Sequence, residues 1–165
     1  MHIELTVEEA VALARAARPL PPLVLAVRPS ATGDGVEADV DPTQVPGSSG
    51  LMRFVSGLAG VVTVTARLVA FADGDAVVEL AAQARGLTVD RMLNLLLGQL
   101  RSALADQGLP PDLVELRAGD DGPLLVAHVQ RAVDERVAGV VVEDVGLRDG
   151  VVRVRVGVGP DAALR

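Results

Sequence analysis

The chain has 165 residues, a length typical of a single domain, and its formal net charge is −7. It has no Cys, and all 15 of its basic residues are Arg, so disulfides, thiolate metal sites, Cys nucleophiles and Schiff-base lysines are excluded. The acidic balance and the scarcity of aromatic residues disfavour nucleic acids and anionic membrane surfaces as partners. We therefore expect one soluble, cytoplasmic domain over residues 1–165, with no cofactor.

Half of the residues are hydrophobic, and the mean hydropathy is +0.40. No run reaches the ~18 apolar residues of a membrane-spanning helix, and the acidic N-terminal segment lacks the positive region of a secretory signal. Most of the apolar side chains are the small Val and Ala, so the excess can fill a core. It is also typical of a chain that lines an apolar cavity or buries a subunit interface.

The first part of the chain predicts a helix followed by two strands. Thr6 and Glu9 fit a capping box, in which each side chain bonds a free backbone N–H at the start of a helix. Pro19 ends that helix because proline cannot continue the backbone hydrogen bonding. A short apolar run predicts a strand over 23–28, and alternation of apolar with acidic residues predicts a half-exposed strand over 36–40.

A loop over 42–50 contains Gly47-Ser48-Ser49-Gly50 and precedes a predicted short helix over 51–59. The backbone N–H groups of such a loop can cradle an anion, and Arg53 lies nearby in the sequence. The phosphate-loop pattern and the dinucleotide fingerprint are both absent, so we favour a flexible linker here.

The clearest hairpin joins strands over 61–71 and 76–84 through a turn that contains Asp73-Gly74. An apolar stripe at helical spacing follows, after a capping Thr88, and it predicts a long helix that ends near Gly108. The stripe consists of Val89, Leu93, Leu96, Leu97, Leu100 and Leu104.

The last third predicts two further hairpins with a short helix between them. Strands over 113–117 and 124–127 precede a helix over 128–136, and strands over 140–147 and 151–158 close the chain. As an alternative, Pro123 begins one longer helix, since proline favours the first helical position.

Four Asp-Gly pairs, at 34–35, 73–74, 121–122 and 149–150, each lie between two strand-like runs. Asp-Gly supplies the positive φ angles that tight hairpins require. We therefore predict an α+β fold: an antiparallel sheet built from about four Asp-Gly hairpins, packed on or wrapped around a long Leu-rich helix.

His128 is the candidate general base, because it sits at a predicted strand–helix junction and is near Asp134 and Glu135 in sequence. No Gly-x-Ser-x-Gly elbow presents a nucleophile to it, and His2 lies near the N-terminus. A capping or partly buried histidine is the preferred interpretation, so we predict no catalytic residues and no enzyme.

Two acidic groups offer oxygen ligands to a cation, namely Asp73 with Asp75, and Glu143 with Asp144 and Asp149. Neither matches the EF-hand spacing, and turn chemistry already explains Asp73 and Asp149. We therefore expect no metal site.

A hairpin with an Asp-Gly turn followed by a Leu-rich helix, over 61–104, and a second such hairpin over 137–158 resemble the tubular lipid-binding (TULIP-like) domains. The resemblance implies a long helix wrapped by a curved antiparallel sheet, with acyl chains in the groove between them. No functional residues are carried over from the resemblance. From its spacing, the leucine stripe is interpreted first as a core helix against the sheet; on the second interpretation the sheet curls around it and leaves an apolar groove lined by Leu93, Leu96, Leu97, Leu100 and Leu104.

The sequence therefore predicts a non-enzymatic domain that binds an apolar small molecule or self-associates through an apolar face. Self-association is favoured, with the final hairpin over 140–158 as the contact, because an edge strand can pair with a neighbour. The alternative is a purely structural or protein-interaction module without a small-molecule ligand.

Overall fold

The computed structural model describes residues 1–17, 19–41, 44, 61–83 and 89–164. The predicted linker with Gly47–Gly50 and Arg53, the helix over 51–59 and the capping Thr88 lie outside these residues. The described α-helices are α1 (Val7–Ala17), α2 (Val89–Asp106) and α3 (Val129–Asp134), with a 3-10 turn at Pro111–Leu113. The strands are β1 (His2–Thr6), β2 (Val24–Pro29), β3 (Gly35–Val40), β4 (Val62–Ala72), β5 (Asp75–Gln83), β6 (Val114–Ala118), β7 (Pro123–His128), β8 (Val137–Arg148) and β9 (Val151–Leu164).

The strands form two antiparallel sheets. The large sheet has six strands in the order β2-β3-β4-β5-β7-β6, and the terminal sheet has three in the order β1-β9-β8. The sheets meet where the β2–β3 loop reaches the β8–β9 turn, since Gly150 N donates a 2.9 Å hydrogen bond to the carbonyl of Gly33.

The predicted fold class is wrong. The described part of the chain is mostly β, with 54% strand and 25% helix, and its helices of 11, 18 and 6 residues are short. The hairpins do not join into one sheet around a central helix, because the β8–β9 hairpin pairs with the N-terminal strand β1 instead. Turn chemistry specifies which neighbouring strands pair, but it does not specify which hairpins share a sheet.

All four predicted hairpins are present, as β2–β3, β4–β5, β6–β7 and β8–β9. Two turns have positive φ at both central residues, with 53° and 84° at Asp73 and Gly74, and 54° and 70° at Asp149 and Gly150. This is the type I′ geometry that matches the twist of antiparallel strands. The other two Asp-Gly pairs stand at the ends of longer connections, since Gly35 is the first residue of β3 and Gly122 directly precedes β7.

The core of the large sheet is formed by Leu23, Val40, Val62, Val64 and Leu93. Leu93 comes from α2, which lies on one face of the sheet against β5, β6 and the 3-10 turn. The opposite face carries charged residues, because alternate residues of a strand point to opposite sides. There Arg28 bonds Glu37 and Asp39 of β3, and Arg67 of β4 pairs with Glu79 of β5.

The capping box is confirmed at the start of α1. Thr6 N donates to a Glu9 carboxylate oxygen at 2.8 Å, and Glu9 N donates to the Thr6 hydroxyl at 3.1 Å. The alternative of a longer helix from Pro123 is wrong, since Pro123–His128 is strand β7. The strand β1 was not predicted: it pairs with β9 from the far end of the chain, and His2 lies opposite Arg155.

Candidate functional site

The five leucines of the predicted groove divide between the core and the surface. Leu93 and Leu97 are buried, with 2% and 7% exposure, whereas Leu100 is 38% exposed. Leu96 and Leu104 are half-buried. Leu93 borders a shallow cleft of about 240 Å³ together with Leu116 of β6 and Pro123 of β7. A ligand role for the five leucines stays a prediction.

His128 lies at the end of β7 directly opposite Asp75 of β5. Its Nδ1 is 2.8 Å from Asp75 Oδ1, and its Nε2 is 3.8 Å from Glu115 Oε1 on β6. The pairing with Asp75 spans 53 residues, so no local pattern could indicate it. A carboxylate can orient the imidazole, but acyl transfer also needs a nucleophile, and the described partners of His128 are carboxylates.

Helix α3 follows His128, and a second ion pair fastens it to the large-sheet side. The Arg131 guanidinium bonds both Asp112 carboxylate oxygens, at 2.9 and 3.2 Å. These hydrogen bonds, together with the positive charge of Arg131, lower the pKa of Asp112. The His128–Asp75 and Arg131–Asp112 contacts together fix the position of α3 between the two sheets.

Gln130 of α3 bonds the outer edge of β8. Its amide Nε2 donates to the carbonyl of Val140 at 2.8 Å, and Val142 N donates to its Oε1 at 2.7 Å. Gln130 N also donates to the carbonyl of Gly74 at 2.9 Å. Because β8 is an edge strand, one glutamine side chain thus satisfies backbone groups that another strand would otherwise bond.

The second half of the same edge has different surroundings. A register shift between Val142 and Asp144 marks a bulge, after which Val145 pairs with Val154 and Leu147 with Val152. Val156 exchanges backbone hydrogen bonds with Met1, so by strand alternation the backbone groups of Val154 and Val152 also point toward β1. Val154 and Val152 therefore form no backbone hydrogen bonds with the β8 residues directly opposite them. The N–H and C=O groups of Val145 and Leu147 therefore point away from β9.

These groups face a cleft of about 400 Å³ between the two sheets, which we call the inter-sheet cleft. One wall is the end of β4, residues 68–71, and the other is β8, residues 144–148, with Arg153 of β9. A neighbouring cleft of about 320 Å³ shares Phe71 and is bordered by Gln130. The boundary between the two sheets therefore has a cleft on each side of Phe71.

The other side of the terminal sheet has an open strand edge. β1 exchanges bonds with β9 as far as Met1 and Val156. Among the described residues, no strand continues this pairing along residues 157–164 of β9, where Gly157, Val158, Ala163 and Leu164 pair with β8 and residues 159–162 form an irregular segment. We call this segment the open β9 edge. Because the pairing with β8 is regular from Val156 to Val158, alternation directs the N–H and C=O groups of Val158 toward it.

Comparison with known proteins gave no match to a protein family, a curated protein or a solved structure. The resemblance to tubular lipid-binding domains therefore stays a prediction. Within the described residues, no helix is long and apolar enough to cross a membrane. The same part of the chain holds no group of three or more His, Asp or Glu side chains arranged to bind a metal ion.

Proposed function

We propose that this protein is a non-enzymatic module that self-associates by pairing the open β9 edge with the same edge of a second copy. The observation that carries the proposal is the strand segment itself, whose backbone groups on one side have no described partner. Unpaired strand edges are templates for pairing with another chain, unless the protein blocks them.

The side chains of the open β9 edge support pairing with a second copy. Val158 is 59% exposed although it is apolar and lies directly opposite Val140. Asp161 is the only charged residue between Gly157 and Leu164, so two copies of this segment repel each other little. Isologous pairing about a two-fold axis is the commonest form of homodimer, and antiparallel strands satisfy it directly.

Pro160 limits where the two copies can pair. It lies in the irregular segment 159–162, and it has no N–H that could be donated to a partner strand. A partner strand loses one hydrogen bond at this position. Pairing centred on Val158 is therefore short, which predicts a dimer whose dissociation is measurable by dilution.

The edge of β8 is a poorer candidate for the same role. Gln130 already bonds Val140 and Val142, and the remaining edge faces β4 of the large sheet. The sequence hypothesis placed the contact between copies in the final hairpin. We now propose that only the second strand of this hairpin, β9, makes that contact. A structural or protein-interaction module without self-association is the alternative function.

Sedimentation velocity or native mass spectrometry over a range of protein concentrations tests the proposal. We expect dimers of the wild-type chain, a melting temperature that rises with concentration, and a monomer for Val158→Lys. Val141→Lys is the matched control, because Val141 is 55% exposed on β8 and lies outside the open β9 edge. A wild-type chain that remains monomeric at all concentrations, or equal effects of the two variants, would contradict the proposal.

A further inference from the structure

We propose that the inter-sheet cleft binds a small amphipathic carboxylate, with the carboxylate at Arg148 and the apolar tail along β4. The cleft is distinct from the open β9 edge, because its walls are β4 and β8. Its volume of about 400 Å³ lies at the lower end of the range of small-molecule sites. The cleft therefore suits a short acyl chain.

Arg148 supplies the positive charge. Among the described residues, its guanidinium has no hydrogen bond or ion pair, and it borders the cleft. Arg153 also borders the cleft, but its Nε is 3.0 Å from Glu4 Oε1, so its charge is already compensated. A guanidinium presents parallel N–H donors that match the two oxygens of a carboxylate.

The backbone of β8 supplies further donors beside Arg148. The N–H groups of Val145 and Leu147 point away from β9, toward the cleft, and no described residue bonds them. Backbone N–H groups are fixed in direction, so they can bond an anion without ordering a side chain. The unpaired half of the β8 edge thereby provides polar contacts that the half bonded by Gln130 does not.

Asp144, the acidic residue that borders the cleft, determines which way round the ligand binds, because it repels the ligand's carboxylate. Asp144 lies four residues before Arg148, which corresponds to roughly 13 Å along a strand. A carboxylate bound at Arg148 is therefore separated from the Asp144 carboxylate. The apolar tail then contacts Leu68 and Phe71 of β4.

Titration with octanoate, followed by the backbone amide signals in ¹⁵N NMR spectra, tests this inference. We expect saturable shifts at Val145 and Leu147 for the wild-type chain. Arg148→Gln should weaken octanoate binding about tenfold or more, in line with the loss of a charge-assisted pair. Arg15→Gln is the matched control, because Arg15 is exposed on α1, away from the cleft, and should bind octanoate as the wild type does.

Two other probes separate the head group from the tail. Octanol carries the same tail without a charge, and acetate carries the carboxylate without the tail, so both should bind much more weakly than octanoate. Equal binding of octanol and octanoate would overturn the role of Arg148, and absence of saturable shifts with octanoate would overturn the site. Val158→Lys should keep the octanoate response, so failure of this site and failure of self-association are distinguishable.

Discussion

The large sheet and the terminal sheet are built from the same antiparallel hairpins, but they differ in how much of their surface the chain itself covers. In the large sheet, α2 covers one face and contributes Leu93 to the core, while the other face carries paired charges such as Arg67 with Glu79. In the terminal sheet, Val141 and Val158 are more than half exposed, and within the described ranges part of β9 has strand neighbours on one side only.

The difference shows where stability and where binding are expected to reside. A strand with a covered face and paired edges contributes mainly to folding. An exposed apolar side chain on an unpaired edge contributes little to the monomer and is available to a partner. Substitutions in the large sheet should therefore mainly change the free energy of unfolding. Substitutions in the terminal sheet should mainly change the association between copies.

The largest effect is expected in the core of the large sheet. Leu93→Ala should lower the free energy of unfolding by about 2–5 kcal/mol, because it removes a buried side chain and leaves a cavity. Leu100→Ala on the same helix should cost within about 1 kcal/mol, since Leu100 is 38% exposed. Urea denaturation of both variants measures the difference, and equal losses would contradict the packing of α2 on the sheet.

The turn between β4 and β5 is the next most sensitive position. Gly74 has a φ of 84°, and a Cβ at this residue would lie 2.5 Å from the Cβ of Gln130. Gly74→Val should therefore cost roughly 3 kcal/mol through backbone strain and displacement of α3. Gly146→Val serves as the control in thermal melting, because a Cβ at Gly146 meets nothing within 4 Å.

Removing the hydrogen bonds between the Gln130 side chain and β8 should destabilise the protein less, and the loss of stability should be confined mainly to the terminal sheet. Gln130→Ala leaves the carbonyl of Val140 and the N–H of Val142 without their described partner, which should cost about 1–3 kcal/mol. Hydrogen exchange should accelerate at Val142 more than at Val64 of the large sheet. The variant should also associate more strongly, because it uncovers an additional strand edge; unchanged exchange at Val142 would argue against these hydrogen bonds.

The smallest effect concerns acid stability. A hydrogen bond from Arg28, and a second from Thr63, lower the pKa of Asp39, and Arg131 likewise lowers that of Asp112. A carboxyl group with a lower pKa in the folded state stabilises the protein above its unfolded pKa, and this contribution disappears as the pH falls through the folded value. Melting temperatures should therefore decrease below about pH 4. The decrease should be shallower in Asp39→Asn, whereas an identical slope would show that these surface pairs contribute nothing.

Local patterns predicted individual elements well. The capping box of Thr6 and Glu9, the type I′ turn at Asp73-Gly74 and the pairing of each hairpin depend on residues a few positions apart, so the sequence contains the necessary information. The candidate site was not predictable in the same way. His128 contacts Asp75, and Gln130 bonds Val140, but these residues lie on separate elements. No spacing of residues along the sequence indicates such contacts.

By itself, the sequence determined the hairpins, their turns and the positions of α1, α2 and α3, because backbone strain and hydrogen bonding act over a few residues. Only the tertiary structure decided that the hairpins separate into two sheets and that β1 pairs with β9. It also decided that Gln130 bonds half of the β8 edge while β9 retains an open one. The physical reason is that sheet membership depends on which apolar faces and free edges meet in space, and many strands of similar pattern can satisfy that requirement.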